Sequence, residues 1–449
     1  MKKTLLIATL LIAEMGLNAQ GPVVTSWLQN TTITGRHYVN GNPNVINDAD
    51  LVNVQAVHYT NDYAFVSATG IPAYVTGPFL DGNPSLATAQ NSIFKIPQNP
   101  TQNTGTPTIV GMGNIGVFIN GVALFNYADG VSYSLSNGTD QGGPGGGMPD
   151  GVWNRDAILA EMAGFDCSKG HPAMGNYHHH QNPSAFKLDL TVLSTICNTY
   201  DADGLYAIDA AQHSPLIGFA YDGFPIYGAY GYANEDGTGG ITRIKSSYSL
   251  RNITTRTHYA DGSDVTDGPA VNATYPLGHY QEDYEYIANA GEDYLDEHNG
   301  RFCVTPEYPA GIYCYFATVD ANWNSAYPYA VGPTFYGVYD ATTVNNVPAN
   351  ATEYISTTAV NENVLNNVAI NVYPNPADDF IAVQFNSLTK ENIRVELYDI
   401  AGKRLQETLI YKGSTIAHLN TKMLSSGQYL VKFTSSTASV TKKVIISNE

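Results

Sequence analysis

Leu216-Ile217-Gly218-Phe219-Ala220-Tyr221-Asp222-Gly223-Phe224-Pro225-Ile226-Tyr227-Gly228 is the stretch whose reading decides the fold class. Two apolar runs flank Asp222-Gly223, a dipeptide suited to the tight turn of a β-hairpin. Residues 115–126 repeat the design, with Asn120-Gly121 between Ile115-Gly116-Val117-Phe118-Ile119 and Val122-Ala123-Leu124-Phe125-Asn126. Asn-Gly in that setting suits a type I′ turn. Working outward, residues 156–162 are the one clear helical run, with Gly164 as a stop. The chain holds 42 Gly, 23 Pro and 32 Tyr and is only 14% charged, which points to many short strands joined by turns. The expected class is mainly β: a β-sandwich-like domain with few short helices, followed by a small C-terminal β-sandwich.

At 449 residues there is room for two or three domains. The net charge of −19 is uneven. Residues 20–367 carry 10 basic and 32 acidic groups, whereas residues 368–449 carry 9 and 7. So acidic a central section excludes nucleic acid as a partner, because phosphate binding needs a basic footprint, and disfavours anionic lipid.

Lys2 and Lys3, an apolar run over residues 5–13 and Leu17-Asn18-Ala19 form a signal peptide over residues 1–19. No other stretch reaches the length of a transmembrane helix, so the mature chain is expected to have no transmembrane segment. Export permits disulfides. Cys167, Cys197, Cys303 and Cys314 allow three pairings, the local one being Cys167–Cys197 with Cys303–Cys314. All four are expected to be oxidised.

Residues 342–367 are polar and Asn/Thr-rich and read as a linker. Short alternating strands follow over residues 368–449. The features Tyr373-Pro374-Asn375-Pro376, Leu397-Tyr398-Asp399 before Gly402, Leu424 to Tyr429 around Gly427, and the closing Lys442-Lys443-Val444-Ile445-Ile446 resemble a type IX secretion system C-terminal sorting domain of type A. That resemblance implies the type IX secretion machinery as a partner, a source in the Bacteroidota, and release or attachment at the outer cell surface.

The densest chemistry is Gly170-His171-Pro172-Ala173-Met174-Gly175-Asn176-Tyr177-His178-His179-His180. On a strand, His178 and His180 share a face about 6.6 Å apart and can converge on one metal ion, with Tyr177 and His179 on the other face. On a helix they would point apart. His171, His213 and Asp222 are candidate helper ligands. A set of His and carboxylate in an oxidising compartment suits Zn²⁺ or Cu²⁺. His279 with Glu282 and Asp283, and Asp296 with Glu297 and His298, are further candidates. The acidic loop over residues 261–268 is a candidate Ca²⁺ site, whereas residues 201–212 fail as an EF-hand at Tyr206 and Gln212.

Tyr177-His178-His179-His180, the 216–228 stretch, Leu295 to Arg301 and Tyr313-Cys314-Tyr315-Phe316 together resemble the YHYH domain of secreted bacterial proteins, over about residues 50–340 within a domain bounded as 20–341. The third motif position is His179 in place of Tyr, and Tyr313 to Phe316 carries no His. The resemblance implies a secreted or cell-surface protein and sharpens the site more than the reaction. Neither Gly-x-Ser-x-Gly nor His-Glu-x-x-His occurs, so no reaction follows from motifs. The expectation is a metal-binding protein. A non-enzymatic surface binding or adhesion protein and a metal-dependent hydrolase or oxidase are the alternatives.

Overall fold

Both hairpins form. Leu216–Ala220 pairs antiparallel with Pro225–Tyr227, and Asn114–Phe118 with Ala123–Phe125, in a computed structural model of the chain. The structure describes residues 20–82, 85–143, 146–192, 194–200, 202–339, 343–355, 370–385, 392–411, 416–435 and 439–447; the signal peptide expected at 1–19 lies outside them. The turn type differs from expectation. A type I′ turn needs positive φ at both central residues. Here only Gly121 (φ 77°) and Gly223 (φ 91°) have it. Their amides bond back to Phe118 O at 2.7 Å and Ala220 O at 2.9 Å. Each loop therefore has three residues, with glycine at the left-handed position.

The two hairpins lie side by side in an eight-stranded sheet. Its order is His171–Ala173, Asn176–His179, Ala123–Phe125, Asn114–Phe118, Leu216–Ala220, Pro225–Tyr227, Ile312–Phe316, Gly300–Cys303. Two junctions are parallel, at Asn176–His179 with Ala123–Phe125 and at Pro225–Tyr227 with Ile312–Phe316. A five-stranded sheet holds Ser92–Pro97, Tyr63–Ala68 and Val54–Tyr59 at its centre. Val117, Phe118, Phe219 and Ile226 of the first sheet share one core with Val57, Val66 and Phe94 of the second. Each such buried side chain contributes about 1.5–3 kcal/mol. The chain is mainly β, as expected.

The linker differs from the 342–367 expected. Thr343–Val344 pairs with Ser92–Pro97 and Thr352–Glu353 with Val54–Tyr59, so residues to 354 belong to the first unit. They are the two edge strands of the five-stranded sheet and pair backbone groups of Ser92–Pro97 and Val54–Tyr59 that would otherwise be open. Residues 356–369 lie outside the described residues.

The second unit has its own core. Ile370–Tyr373, Phe380–Phe385 and Ile416–Asn420 form one sheet; Arg404–Ile410, Ile393–Asp399, Gly427–Thr434 and Ser439–Ile446 form the other. Period-two burial places Tyr429, Val431 and Phe433 in a core with Val395, Leu397, Ile381 and Val383. Among the described residues no helix is long and apolar enough to cross a membrane.

One disulfide forms, Cys167–Cys197, with Cα atoms 5.5 Å apart. Cys303 and Cys314 are both buried thiols, contrary to expectation. They lie on paired strands, but Cys303 faces Ile312 and Cys314 faces Arg301. Such diagonal positions are about 7–8 Å apart, outside the usual span of a disulfide. The Cys314 thiol donates instead to Ile312 O at 3.5 Å.

Candidate metal centre

The site is built by one continuous segment, residues 156–180. His171–Ala173 and Asn176–His179 form a hairpin whose two-residue turn is Met174 (φ 50°) and Gly175 (φ 87°). Positive φ at both places makes this the type I′ turn, which was expected instead at Asn120-Gly121. The register sets His171 opposite His178. His180 follows two residues later, so it shares the His178 face. The three rings are buried, with 7%, 2% and 4% exposure for His171, His178 and His180.

Their ligand atoms converge. His178 Nε2 lies 3.1 Å from His180 Nε2, and His171 Nε2 lies 3.4 Å from His180 Nε2. Among the described residues these three form the only His/Cys/Asp/Glu group whose ligand atoms all lie within 4.8 Å of one another. Two imidazole nitrogens on one tetrahedral zinc, bound at about 2.0–2.1 Å, are about 3.3 Å apart. The donor set therefore fits such an ion.

The outer nitrogens decide which protons the rings carry. His178 Nδ1 is 2.9 Å from Asn176 O, and His180 Nδ1 is 2.5 Å from Asn126 O. A carbonyl only accepts, so each Nδ1 donates and each neutral ring presents a bare Nε2 inward. Backbone carbonyls orient metal-binding histidines in this way. His171 Nδ1 is buried with no partner among the described residues. Phe125 stacks on His178 with centroids 3.8 Å apart, and Phe165 meets His171 edge-on at 4.8 Å. Burial first, then the charges of His180 and His171, hold His178 well below the ordinary imidazole pKa.

Glu161 is the residue that sequence reasoning missed. Its Oε2 lies 3.3 Å from His171 Nε2 and 3.2 Å from His180 Nε2, and its side chain is 28% exposed. Burial raises its carboxyl, but His171 and His180 outweigh that and hold it far below the usual carboxylate range. The short helix Ala157–Glu161 delivers it. Asp156 caps that helix by accepting from Ile158 N at 2.8 Å, and Tyr329 donates its hydroxyl to Asp156 at 2.6 Å. The helix was legible in the sequence, but no spacing links it to His171 and His180.

The opposite face of the hairpin is structural. His179 Nε2 meets Tyr74 Oη at 2.6 Å and its Nδ1 meets Lys169 O at 3.0 Å. Tyr177 donates to Asp166, whose buried carboxyl also accepts from the backbone of Gly77.

The structure does not bring His213 or Asp222 to the three histidines. His213 packs between Tyr227 and Tyr232, with Nδ1 2.7 Å from Ser214 O. Asp222 accepts from Tyr315 Oη at 2.6 Å and Gly337 N at 2.8 Å, a buried brace for its own turn. The other candidates are likewise engaged. His279 pairs with Asp140, Glu282 holds Asn154, Asp283 pairs with Arg256, and Asp296 accepts from Tyr313. In the 261–268 loop, Asp261 Oδ1 accepts from Ser263, and Asp264 is an exposed neighbour of His258.

A family profile described as YHYH protein matches residues 93–328, more than half of the chain. The chain belongs to the YHYH protein family. The matched region holds the whole YHYH hairpin, Glu161 and all eight strands of the sheet. A profile for the secretion system C-terminal sorting domain matches residues 371–447. The sorting domain marks this YHYH protein as secreted or displayed at the cell surface, through recognition by the type IX machinery. No curated protein matches the chain.

Proposed function

We propose that this YHYH protein binds one transition-metal ion through Nε2 of His171, His178 and His180. Zn²⁺ and Cu²⁺ are the ions that suit an imidazole set. One observation carries the reading. His178 and His180 are committed at Nδ1 to backbone carbonyls, which leaves two lone pairs facing each other 3.1 Å apart in a buried site. A cation between them removes that repulsion.

Three imidazoles would leave room for a further donor, and the 28% exposed Glu161 carboxylate stands beside two of them. A bound zinc lowers the pKa of a coordinated water to about 7. Glu161 is the group that would hold that water or take its proton, which supports hydrolysis or redox chemistry as a second reading. The adhesion alternative leans on exposed tyrosine, yet Tyr177, Tyr221, Tyr227, Tyr280 and Tyr315 are core residues.

The test is metal analysis of the purified full chain beside His178→Ala/His180→Ala, with exposed His258→Ala as control. About one equivalent in wild type and control and none in the double variant is expected. Equal metal in all three would sink the ligand assignment.

A further inference from the structure

Two residues before the first metal-site histidine, the chain buries a lysine. Lys169 Nζ lies 2.6 Å from Asp189 Oδ1, with side-chain exposures of 0% and 4%. An ammonium has three donors, and among the described residues Asp189 is the only group that accepts from this one. The Phe186 ring lies 5.5 Å away, and the Asp320 carboxylate is within electrostatic reach of both groups. A buried ion pair with unfilled donors is an expensive arrangement, because desolvation of both charges competes with their attraction. Lys169 also has φ 65°, in the left-handed region. Lysine gains nothing there, and such outliers cluster where a side chain has a task.

The two backbones are fastened before the side chains meet. Lys169 lies two residues after Cys167, which is fixed by its disulfide to Cys197. Phe186 N donates to Cys167 O at 2.8 Å, and Asp189 N donates to Phe186 O at 2.9 Å, at the end of the turn Phe186–Leu188. The amine and the carboxyl are thus held in contact in a water-poor site, the condition under which proximity replaces a second reactant. Burial also pushes the Asp189 carboxyl up to about 6, against the pull of Lys169.

We propose that Lys169 and Asp189 are joined by an intramolecular amide bond that the folded chain makes on itself. Lys169 first passes one proton to Asp189 across their hydrogen bond; the freed Nζ lone pair then attacks Asp189 Cγ, a C–N bond forms and one C–O bond breaks. One carboxyl oxygen and two protons leave as water, and the amide keeps one N–H. No oxidant, reductant or cofactor enters. Both buried charges are removed by the reaction, which closes a covalent staple under the hairpin that carries the three histidines. This inference does not depend on the metal reading.

Intact mass spectrometry of the exported full chain, with the disulfide reduced, tests the proposal. The mass is expected to fall below that of the sequence by one water. Tryptic digestion should leave Lys169 uncut and yield a branched product in which residues 156–187 are joined to residues 188–243. Reduction matters, because Cys167–Cys197 links the same two peptides. Lys169→Met should restore the full mass. Free peptides 156–169 and 170–187 from the wild type, or a water loss mapped to an Asp-Gly pair, would overturn the proposal. The wild-type map decides even where the variant does not fold.

Discussion

His171 and His178 face each other across a two-residue turn, and both turn a ring edge toward His180. Ten consecutive residues therefore supply all three imidazoles, while Asn126 O and the Phe125 ring, from a distant part of the chain, hold two of them in place. Glu161 also comes from outside the hairpin, and it touches two of the three rings.

Glu161→Gln keeps the size of the side chain and removes its charge. The three imidazoles remain, so metal should still bind, with affinity reduced about 10–100-fold as for other groups that support a ligand set. Competition with a calibrated chelator reads this directly. Loss of all metal would make Glu161 an obligatory ligand.

His179→Ala separates the two faces of the hairpin. The ring is fully buried and bonded to Tyr74 and Lys169. Its removal leaves a cavity and an unpaired Tyr74 hydroxyl, a loss of about 2–4 kcal/mol in urea unfolding. Metal content per folded chain should stay at the wild-type value.

Asp222 gives stability a pH dependence away from the histidines. Burial pushes its carboxyl up to about 6, against the bonds from Tyr315, Gly337 and Phe224. The folded chain then holds this proton more tightly than the unfolded chain. The associated stability is full below about pH 4 and is lost as pH rises through about 6. Urea midpoints of wild type should fall relative to Asp222→Asn across that window. Parallel curves would contradict the assignment.

Thiol counting tests the cysteines. Unfolded without reductant, the chain should take up two alkyl groups, at Cys303 and Cys314, and after reduction four. No uptake before reduction would mean that the diagonal pair closes on export.

Truncation tests the revised boundary. A chain ending at residue 355 keeps both edge strands, Thr343–Val344 and Thr352–Glu353, whereas one ending at 341 exposes the edges of the five-stranded sheet. The shorter form should melt at lower temperature and aggregate more readily. Both lack the sorting domain, so neither should reach the medium or the outer surface in cell fractionation.

The mainly β class, the two apolar hairpins, the sorting domain and the shared face of His178 and His180 are all readable from local sequence. These follow from period-two alternation and local turn chemistry, which act over a few residues. What completes the site is set by how distant segments pack. Asp222 lies in a conspicuous motif and is spent on bracing Tyr315, whereas Glu161 lies in an ordinary helix and reaches the histidines. Which carboxylate meets which ring depends on how separate segments pack, and spacing along the chain carries no record of that. The same limit applies to Cys303 and Cys314. Their closeness in sequence suggested a bond, but a register of opposite partners, set by the whole sheet, leaves them on a diagonal.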